Sequence, residues 1–441
     1  MSSITRKIVV SGLIVSLVLF GSLGSGVQAQ EKVVLRYADT TYGKPIMTQQ
    51  TNWIESFMIR YPNIEVRAER VEGSVFNEKY VIQAAAGAGP DIVWICAPSA
   101  KQWMKAGFLI DLVPYIEENE ALADMDDFFE AALGFFRYEG GLYGLPMDLG
   151  PEGIHKYNVD LFDEAGLEHP KKSWTFEGEF LEAAKRLTKD TDGDGETDQW
   201  GMGGSFYEFY AGYATYMLGP SFLFPFGGKV VNDSETECLL TEPESLRALN
   251  FWIGLLHKYH VAPPYEVMKA MDDKVFQLGK SGMAVGYPWD VDLLAEFPDL
   301  HWDAMHAPKG PAGRFTEVLG SGYCITQDSK HPDEAWLFLR DYMSREGLTY
   351  VWALSGSGCC ARESAWKEWE KEVHVPESAY IYREALDYGT VPTLMGPATD
   401  EVLAVASEEL ELCLMGKTSV EEMAGRIKAK VDPILERAAE E

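Results

Sequence analysis

A short acidic segment, residues 190–198, has the residue types and spacing that suit a hard metal cation. It reads DTDGDGETD, with acidic side chains at loop positions 1, 3, 5 and 9 and glycine at position 6. This spacing wraps oxygen atoms around Ca²⁺ in calcium-binding loops. The ligands of such a structural ion would be Asp190, Asp192, Asp194, Glu196 and Asp198. Position 12 is Gly201, not the bidentate Glu of an EF-hand, so the alternative is a tight Asp/Gly turn whose carboxylates bond its own backbone.

Two adjacent cysteines, Cys359 and Cys360, are a second candidate for chemistry. Neighbouring Cα atoms lie about 3.8 Å apart, which is below the usual range for a disulfide, so a bridge here would close a strained ring. The alternative is two reduced, packed thiols. The chain has six cysteines, too few and too scattered for a disulfide framework.

Aromatic residues next to loop glycines are the third candidate group. Aromatic faces stack on the apolar faces of sugar rings, while Asp, Asn and Arg side chains bind the hydroxyls. Each of these rings could instead be a core residue; Trp289, which follows Gly286-Tyr287-Pro288 at a strand end, is the exception. No Gly-x-Ser-x-Gly motif occurs, and no pair of carboxylates stands out among the 69 acidic residues. The motifs therefore do not indicate an enzyme.

Alternating strands and helices must position these groups. Apolar runs at 33–38, 64–68 and 92–96 predict strands, and the segments between and after them predict helices. This alternation predicts an α/β fold with mostly parallel sheets. The segment 141–162 predicts strand, irregular crossing, strand, which is either a hinge or an ordinary loop. A second crossing is predicted at 319–326.

The first 29 residues read as a secretory signal peptide. Arg6 and Lys7 precede thirteen mostly apolar residues, and small residues follow up to Ala29. The apolar run is shorter than the roughly 20 residues of a membrane-spanning helix, and no cysteine follows it before Cys96, so no lipid anchor is expected. Removing two positive charges takes the net charge from -31 to -33, which disfavours nucleic acid and anionic membranes as partners.

Several segments, in order and spacing over nearly the whole mature chain, resemble one family. They include AAAGAGPDI at 84–92, LFDEAGL at 161–167 and FQLGKSGMAVGYPW at 276–289. The sequence resembles the extracellular solute-binding proteins of bacterial ABC importers, in the sugar-binding cluster that includes maltose-binding protein. The resemblance implies a two-lobed periplasmic-binding-protein fold of type II, with a hinge and an interlobe ligand cleft.

The resemblance also implies a division of the chain and a function. Lobe 1 would contain residues 30–147 and 321–372, and lobe 2 residues 148–320 and 373–441. A periplasmic, monomeric, non-enzymatic protein would capture a sugar or oligosaccharide and deliver it to the transmembrane permease subunits. The alternatives are an exported carbohydrate-active hydrolase, which would need two cleft carboxylates about 5 to 9.5 Å apart, and a binding protein of the same fold for a polyol or another non-sugar solute.

The residues that the resemblance places in the cleft come from both lobes. Trp289 matches the family's stacking tryptophan, and the others are Asp39, Thr40, Tyr42, Pro98, Ser99, Asp148, Glu152, Tyr207, Gly320, Ser321 and Gly322. Where relatives usually have Gly-x-Pro-Ala-Arg, this chain has Gly358-Cys359-Cys360-Ala361-Arg362. We hypothesise a vicinal Cys359–Cys360 disulfide whose edge contacts a ligand ring, with Arg362 bonding hydroxyls or a carboxylate.

Overall fold

A computed structural model describes residues 32–118, 124–203, 218–271, 274–356, 360–373 and 375–440. The predicted signal peptide, Tyr207 and Cys359 lie outside these ranges. The strands are β1 (Val33–Asp39), β2 (Ile64–Arg70), β3 (Ile92–Cys96), β4 (Arg137–Tyr138), β5 (Gly141–Leu142), β6 (Leu145–Pro146), β7 (Gly150–Glu152), β8 (Ile154–Asn158), β9 (Trp200–Met202), β10 (Ser281–Gly286), β11 (Trp302–Met305), β12 (Thr316–Leu319), β13 (Ser321–Ile325) and β14 (Gly389–Thr390).

Helices cover these strands. The longer ones are Lys44–Arg60, Gly73–Ala85, Ala97–Lys105, Pro243–His257, Pro332–Tyr342, Glu363–Glu372, Thr399–Leu414 and Val420–Glu440. The shorter ones are Val113–Glu118, Glu130–Gly134, Val159–Glu164, Leu181–Leu187, Pro220–Leu223, Tyr265–Ala270, Asp290–Leu294, Arg345–Leu348 and Tyr380–Ala385. Among the described helices, none is both long and apolar enough to cross a bilayer.

The first sheet has five strands in the order β2-β1-β3-β13-β6. β1 runs parallel to β2 and β3, whereas β13 runs antiparallel to both of its neighbours. The continuous apolar run of β3 matches burial on both faces, since helices cover parallel strands on each side. β13 enters the sheet from the opposite end because the chain returns here from the second lobe.

The second sheet has four strands in the order β11-β8-β10-β9. β8 is antiparallel to both β10 and β11, and only β9 is parallel to its neighbour. The α/β architecture is as predicted, but the sheets are mixed rather than mostly parallel. The reason is the same in both lobes. The first strand after the chain crosses from one lobe to the other, β13 in the first sheet and β8 in the second, runs antiparallel to its neighbours.

The chain passes between the sheets through a third, three-stranded sheet, which we call the hinge sheet. Its order is β14-β12-β7, with β7 antiparallel and β14 parallel to the central strand. The Ser221 hydroxyl donates to the Glu152 carbonyl at 2.5 Å and accepts from the Glu317 amide at 2.7 Å. A Cβ on Gly389 would lie 2.2 Å from a Val318 methyl group, so these passages pack too closely for a side chain there.

Two large hydrophobic cores flank the hinge sheet. The first contains buried residues from 35–154 and 318–385, and the second contains buried residues from 157–287 and 394–435. Of the segment predicted to join lobe 2 after residue 372, Ala379, Ile381, Tyr382 and Ala385 pack in the first core. The lobe boundaries themselves stay a prediction.

Candidate ligand-binding site

Several predicted site residues meet at one edge of the first sheet. The carboxyl ends of β1 and β3 lie at this edge, and so does the amino end of the antiparallel strand β13, which pairs Ser321 with Cys96. Ligands of open α/β sheets bind beyond the carboxyl ends of strands. Pro98 and Ser99, both half-buried, occupy the first turn of the helix that starts directly after β3.

Asp39 lies beneath this edge as a support, not as an exposed ligand group. Its carboxylate is fully buried and accepts hydrogen bonds from several side chains. The donors are Tyr37 Oη (3.0 Å), Tyr42 Oη (3.1 Å), Gln50 Nε2 (2.7 Å), Arg70 Nη1 (3.3 Å) and Tyr323 Oη (3.0 Å). Burial raises the pKa of Asp39, which these donors and Arg70 partly offset. Its oxygens are already engaged within the protein.

Tyr42 is a half-buried member of this network. Its ring packs edge-on against Trp352, with centroids 5.0 Å apart at 87°. The Thr40 amide donates to Asp39 Oδ1 at 2.9 Å, and Thr40 itself is buried. Of the three site residues predicted at the end of the first strand, Asp39 and Thr40 are buried and Tyr42 is half-buried.

Asp148 lies half-buried beside Ser321, where the chain leaves the first sheet. Its Oδ1 accepts from the Ser321 amide and from the Ser321 hydroxyl, the latter at 2.9 Å. Burial raises the pKa of Asp148 to about 7, despite the lowering effect of these hydrogen bonds. A Cβ on Gly320 would lie 2.4 Å from the Asp148 carbonyl oxygen. Gly320 therefore permits the close approach of two segments, and Gly322 does the same against Leu145 and Phe136.

Arg362, which the resemblance places in the cleft, is buried and bonded within the protein. Only 1% of its surface is exposed. Nε donates to the Met343 carbonyl at 2.7 Å, Nη1 donates to the Asp124 carbonyl at 2.8 Å, and the guanidinium lies 3.8 Å from the ring centroid of Phe128. The side chain reaches no open surface.

Cys360 is also buried, opposite Asp148 in an isolated β-bridge. Burial raises the pKa of its thiol well above the usual range. Because Cys359 lies outside the described residues, the vicinal disulfide and its contact with a ligand stay a prediction.

Two glutamates face each other in the hinge sheet. Glu152 of β7 pairs with Glu317 of β12, and both side chains are buried. Burial raises the pKa of Glu317 well above its ordinary value, and the neighbouring Glu152 raises it further. Glu152 was predicted as a site residue and Glu317 was not.

Trp289 follows the carboxyl end of β10 and is half-buried. Its indole stacks on the Tyr287 ring, with centroids 4.6 Å apart and planes at 8°. The Tyr287 amide donates to Asp290 Oδ2 at 2.7 Å, and Lys156 Nζ donates to Asp290 Oδ1 at 2.7 Å. A buried ion pair therefore holds the turn that presents the indole.

The two lobes also touch away from the hinge. Asn77 Nδ2 donates to Asp400 Oδ2 at 2.9 Å, and Trp103 Nε1 donates to Asn77 Oδ1 at 2.8 Å. Asn77 belongs to a helix of the first lobe, and Asp400 starts a helix whose buried face packs in the second core. This contact joins the lobes through polar groups.

The acidic loop brings only part of the predicted ligand set together. Carboxylate oxygens of Asp190, Asp192 and Asp194 lie within 4.8 Å of one another, and all three residues are exposed. Asp190 also accepts from the Gly193 and Gly195 amides, at 2.6 and 2.8 Å. The other two predicted ligands lie apart from this group: Asp198 accepts from Thr191, and Glu196 is not among the clustered carboxylates. Calcium binding stays a prediction.

Comparison with known proteins decides the family. The family model described as bacterial extracellular solute-binding protein matches residues 38–347, well over half of the chain. The chain belongs to this family.

Relatives of this solute-binding protein are distant in sequence. A binding protein of Brucella abortus (strain 2308) is 23% identical over 389 residues, which span 87% of this chain and 89% of the relative. A binding protein of Brucella suis biovar 1 matches with the same identity and coverage.

Solved structures share the two-lobed fold. An ABC substrate-binding protein of Listeria monocytogenes, solved in complex with cycloalternan, has 22% identity and a TM-score of 0.81 over 91% of this chain and 98% of its own. The maltose-bound MalE3 of T. maritima has 21% identity and a TM-score of 0.75 over 90% and 99%. The α/β fold predicted for this solute-binding protein, with two lobes joined by chain crossings, is confirmed.

Sequence reasoning missed Glu317, Asn77 and Asp400. Glu317 directly precedes the apolar pair Val318-Leu319, and a lone acid inside a buried strand is the signal that could have found it. Asn77 and Asp400 are 323 residues apart, and no local pattern in this solute-binding protein links them.

Proposed function

We propose that this solute-binding protein captures a sugar or oligosaccharide between its lobes and delivers it to a membrane permease. The supporting observation is the half-buried Trp289 indole, stacked on Tyr287 at the carboxyl end of a strand. Flat aromatic faces bind the apolar faces of sugar rings. Asp148, half-buried at the edge of the first sheet, supplies a carboxyl group for hydroxyls.

Capture works through closure. Open lobes admit the solute, and the solute stabilises the closed form by binding it more tightly than the open form. Moving the equilibrium from 1:99 to 99:1 takes about 5.5 kcal/mol of differential affinity. The solute leaves unchanged, and export through the predicted signal peptide would place the protein in the periplasm, where it meets the permease subunits.

The solved neighbours support a carbohydrate ligand. The Listeria protein was solved in complex with cycloalternan, the MalE domain of Bdellovibrio bacteriovorus with maltotriose, and the T. maritima protein with maltose. These sugars are bound by those proteins. The same sugars are the first compounds to test as ligands of this protein.

A thermal-shift screen over mono- and oligosaccharides tests the proposal. A ligand at 100 times its Kd stabilises the folded state by about 2.7 kcal/mol, so a hit raises the melting temperature in a dose-dependent manner. Chromatography of the recovered sugar separates binding from hydrolysis, because a hydrolase would return shorter products. Stabilisation by polyols alone, or by no sugar in the screen, contradicts the proposal.

A further inference from the structure

The hinge sheet contains a pair of buried acids that the proposed function does not yet use. Glu152 and Glu317 are directly opposite in the antiparallel pair β7–β12, with 6% and 1% of their surfaces exposed. Directly opposed residues project from the same face of a sheet. Neither carboxylate oxygen of Glu317 has a hydrogen-bond partner in the part of the chain that the structure describes.

The direction of this face follows from strand alternation. Pro151 and Val318, the next residues along each strand, project to the opposite face. There, Val318 lines a pocket with Phe129 and Leu386. The two glutamates therefore project away from this pocket.

The hinge sheet adjoins the binding edge of the first sheet. The Ala97 amide, directly after β3, donates to the carbonyl of Gly320, directly after β12, at 2.9 Å. Burial raises the pKa of the Cys96 thiol, and Glu152 and Asp148 also raise it. Cys96 ends β3 next to Ser321. Glu152 and Glu317 therefore lie in the sheet next to the binding edge.

Charge balance at this position is unusual. A buried carboxylate is costly unless a cation or a proton accompanies it. The buried cations of the described residues, Lys156 and Arg362, pair with Asp290 and Asp127, and the half-buried Arg70 pairs with Asp39. In the described chain, no ion pair reaches Glu317. With a neutral sugar Glu317 would have to hold a proton, whereas an ammonium group offers three donors and the opposite charge and so lets the carboxylate ionise.

We propose that the solute carries a protonated amine that binds to Glu317, flanked by Glu152, so the ligand is an amino sugar or an oligosaccharide containing one. This inference rests on the proposed function, since it assigns one substituent of the captured sugar. Trp289 then holds the ring face and the acid pair holds the amine.

Calorimetry on matched sugars tests the inference. The panel contains glucosamine, galactosamine and mannosamine with their β-linked oligomers, each paired with its N-acetyl and its hydroxyl counterpart. EDTA excludes a bridging metal ion. We expect the best amine ligand to bind about tenfold or more tightly than its hydroxyl counterpart, the gain of one hydrogen bond to a charged group.

Variants assign the effect to the acid pair. Glu317→Gln keeps the side-chain shape and should reduce the amine-to-hydroxyl affinity ratio to about one, and Glu152→Gln should reduce it partly. Glu368→Gln, on an exposed helix surface, is the control and should keep the full ratio. Circular dichroism shows whether each variant folds. If Glu317→Gln does not fold, the affinity ratio is measured on Glu152→Gln instead.

The outcomes separate the two proposals. Equal affinity for amine sugars and their hydroxyl counterparts overturns the amine assignment and leaves sugar capture intact. The same holds if folded Glu317→Gln, or Glu152→Gln where Glu317→Gln does not fold, keeps the full preference for the amine. Absence of binding by every member, together with a negative neutral-sugar screen, overturns both.

Discussion

Lys156 Nζ lies 2.7 Å from Asp290 Oδ1, and both side chains are buried in the second lobe. The second oxygen of Asp290 accepts the Tyr287 amide. One ion pair thus connects the middle of β8 to the turn that carries Trp289. Burial raises the pKa of Asp290, while Lys156 lowers it, so the carboxylate depends on its partner to remain charged.

Replacing Lys156 with Met should destabilise the protein by about 3–5 kcal/mol, because removal of one partner leaves a buried, uncompensated charge. Urea denaturation measures the loss. Lys371→Ala breaks the exposed Lys371–Glu368 pair and should cost at most about 1 kcal/mol. Similar values for the two variants would contradict a structural role for the buried pair.

Replacing Trp289 with Ala should weaken sugar binding by about tenfold or more, as loss of a central aromatic contact does. The indole is half-buried, so the free energy of unfolding should change much less than for a core tryptophan. Calorimetry gives the affinity. Trp53→Ala removes a ring that packs on Tyr350 in the first lobe and should leave the affinity unchanged; an equal loss in both variants argues against stacking by Trp289.

Asp148 should make stability depend on pH. Its folded-state pKa of about 7 exceeds the ordinary value of 3.8, so between these values the folded protein binds more protons than the unfolded chain. Its contribution to stability is therefore largest at low pH and is lost as pH rises from about 4 to about 7, by at most about 4 kcal/mol for roughly three units.

Asp148→Asn isolates this effect, because the amide oxygen can still accept from Ser321. We expect the free energy of unfolding of the variant to rise relative to the wild-type protein as pH increases across that window. Urea midpoints at a series of pH values provide the measurement. Parallel curves for the two proteins would show that Asp148 ionises normally.

Calcium should stabilise the loop at 190–198 if its three clustered carboxylates hold the ion. At 100 times its Kd, Ca²⁺ should add about 2.7 kcal/mol, seen as a higher melting temperature that EDTA reverses. Asp192→Asn with Asp194→Asn should abolish the shift while Asp190 still caps the loop amides. Mg²⁺ is the control ion, and identical melting with Ca²⁺ and with EDTA rules the site out.

Local patterns in the sequence predict much of the fold. The run Ile92–Cys96 predicts a strand, and the structure has the same bounds, because a continuous apolar segment between turns has few alternatives. The edge formed by Cys96, Pro98 and Ser321 follows from strand order and direction. These features depend on residues that are close in sequence or on the family's topology.

Arg362 shows where such prediction ends. An arginine beside two cysteines in a family motif suggests a ligand contact, yet its partners Asp124, Asp127 and Phe128 come from a segment more than 230 residues earlier. Asp39 is similar, since its burial depends on Tyr323 and Gln50 from other elements. Long-range partners decide whether a polar side chain supports the site or faces the solute.

The hinge sheet places three strands side by side, with β7 and β14 both bonded to β12, and Ser221 also bridges β7 and β12. Because the hinge strands are bonded together, they must bend together. The two lobes should therefore rotate relative to each other about a single axis. A small solute bound near the hinge would then fix the distance between the outer edges of the two lobes. A membrane permease that contacts both edges would distinguish the ligand-bound form from the free form without contacting the solute.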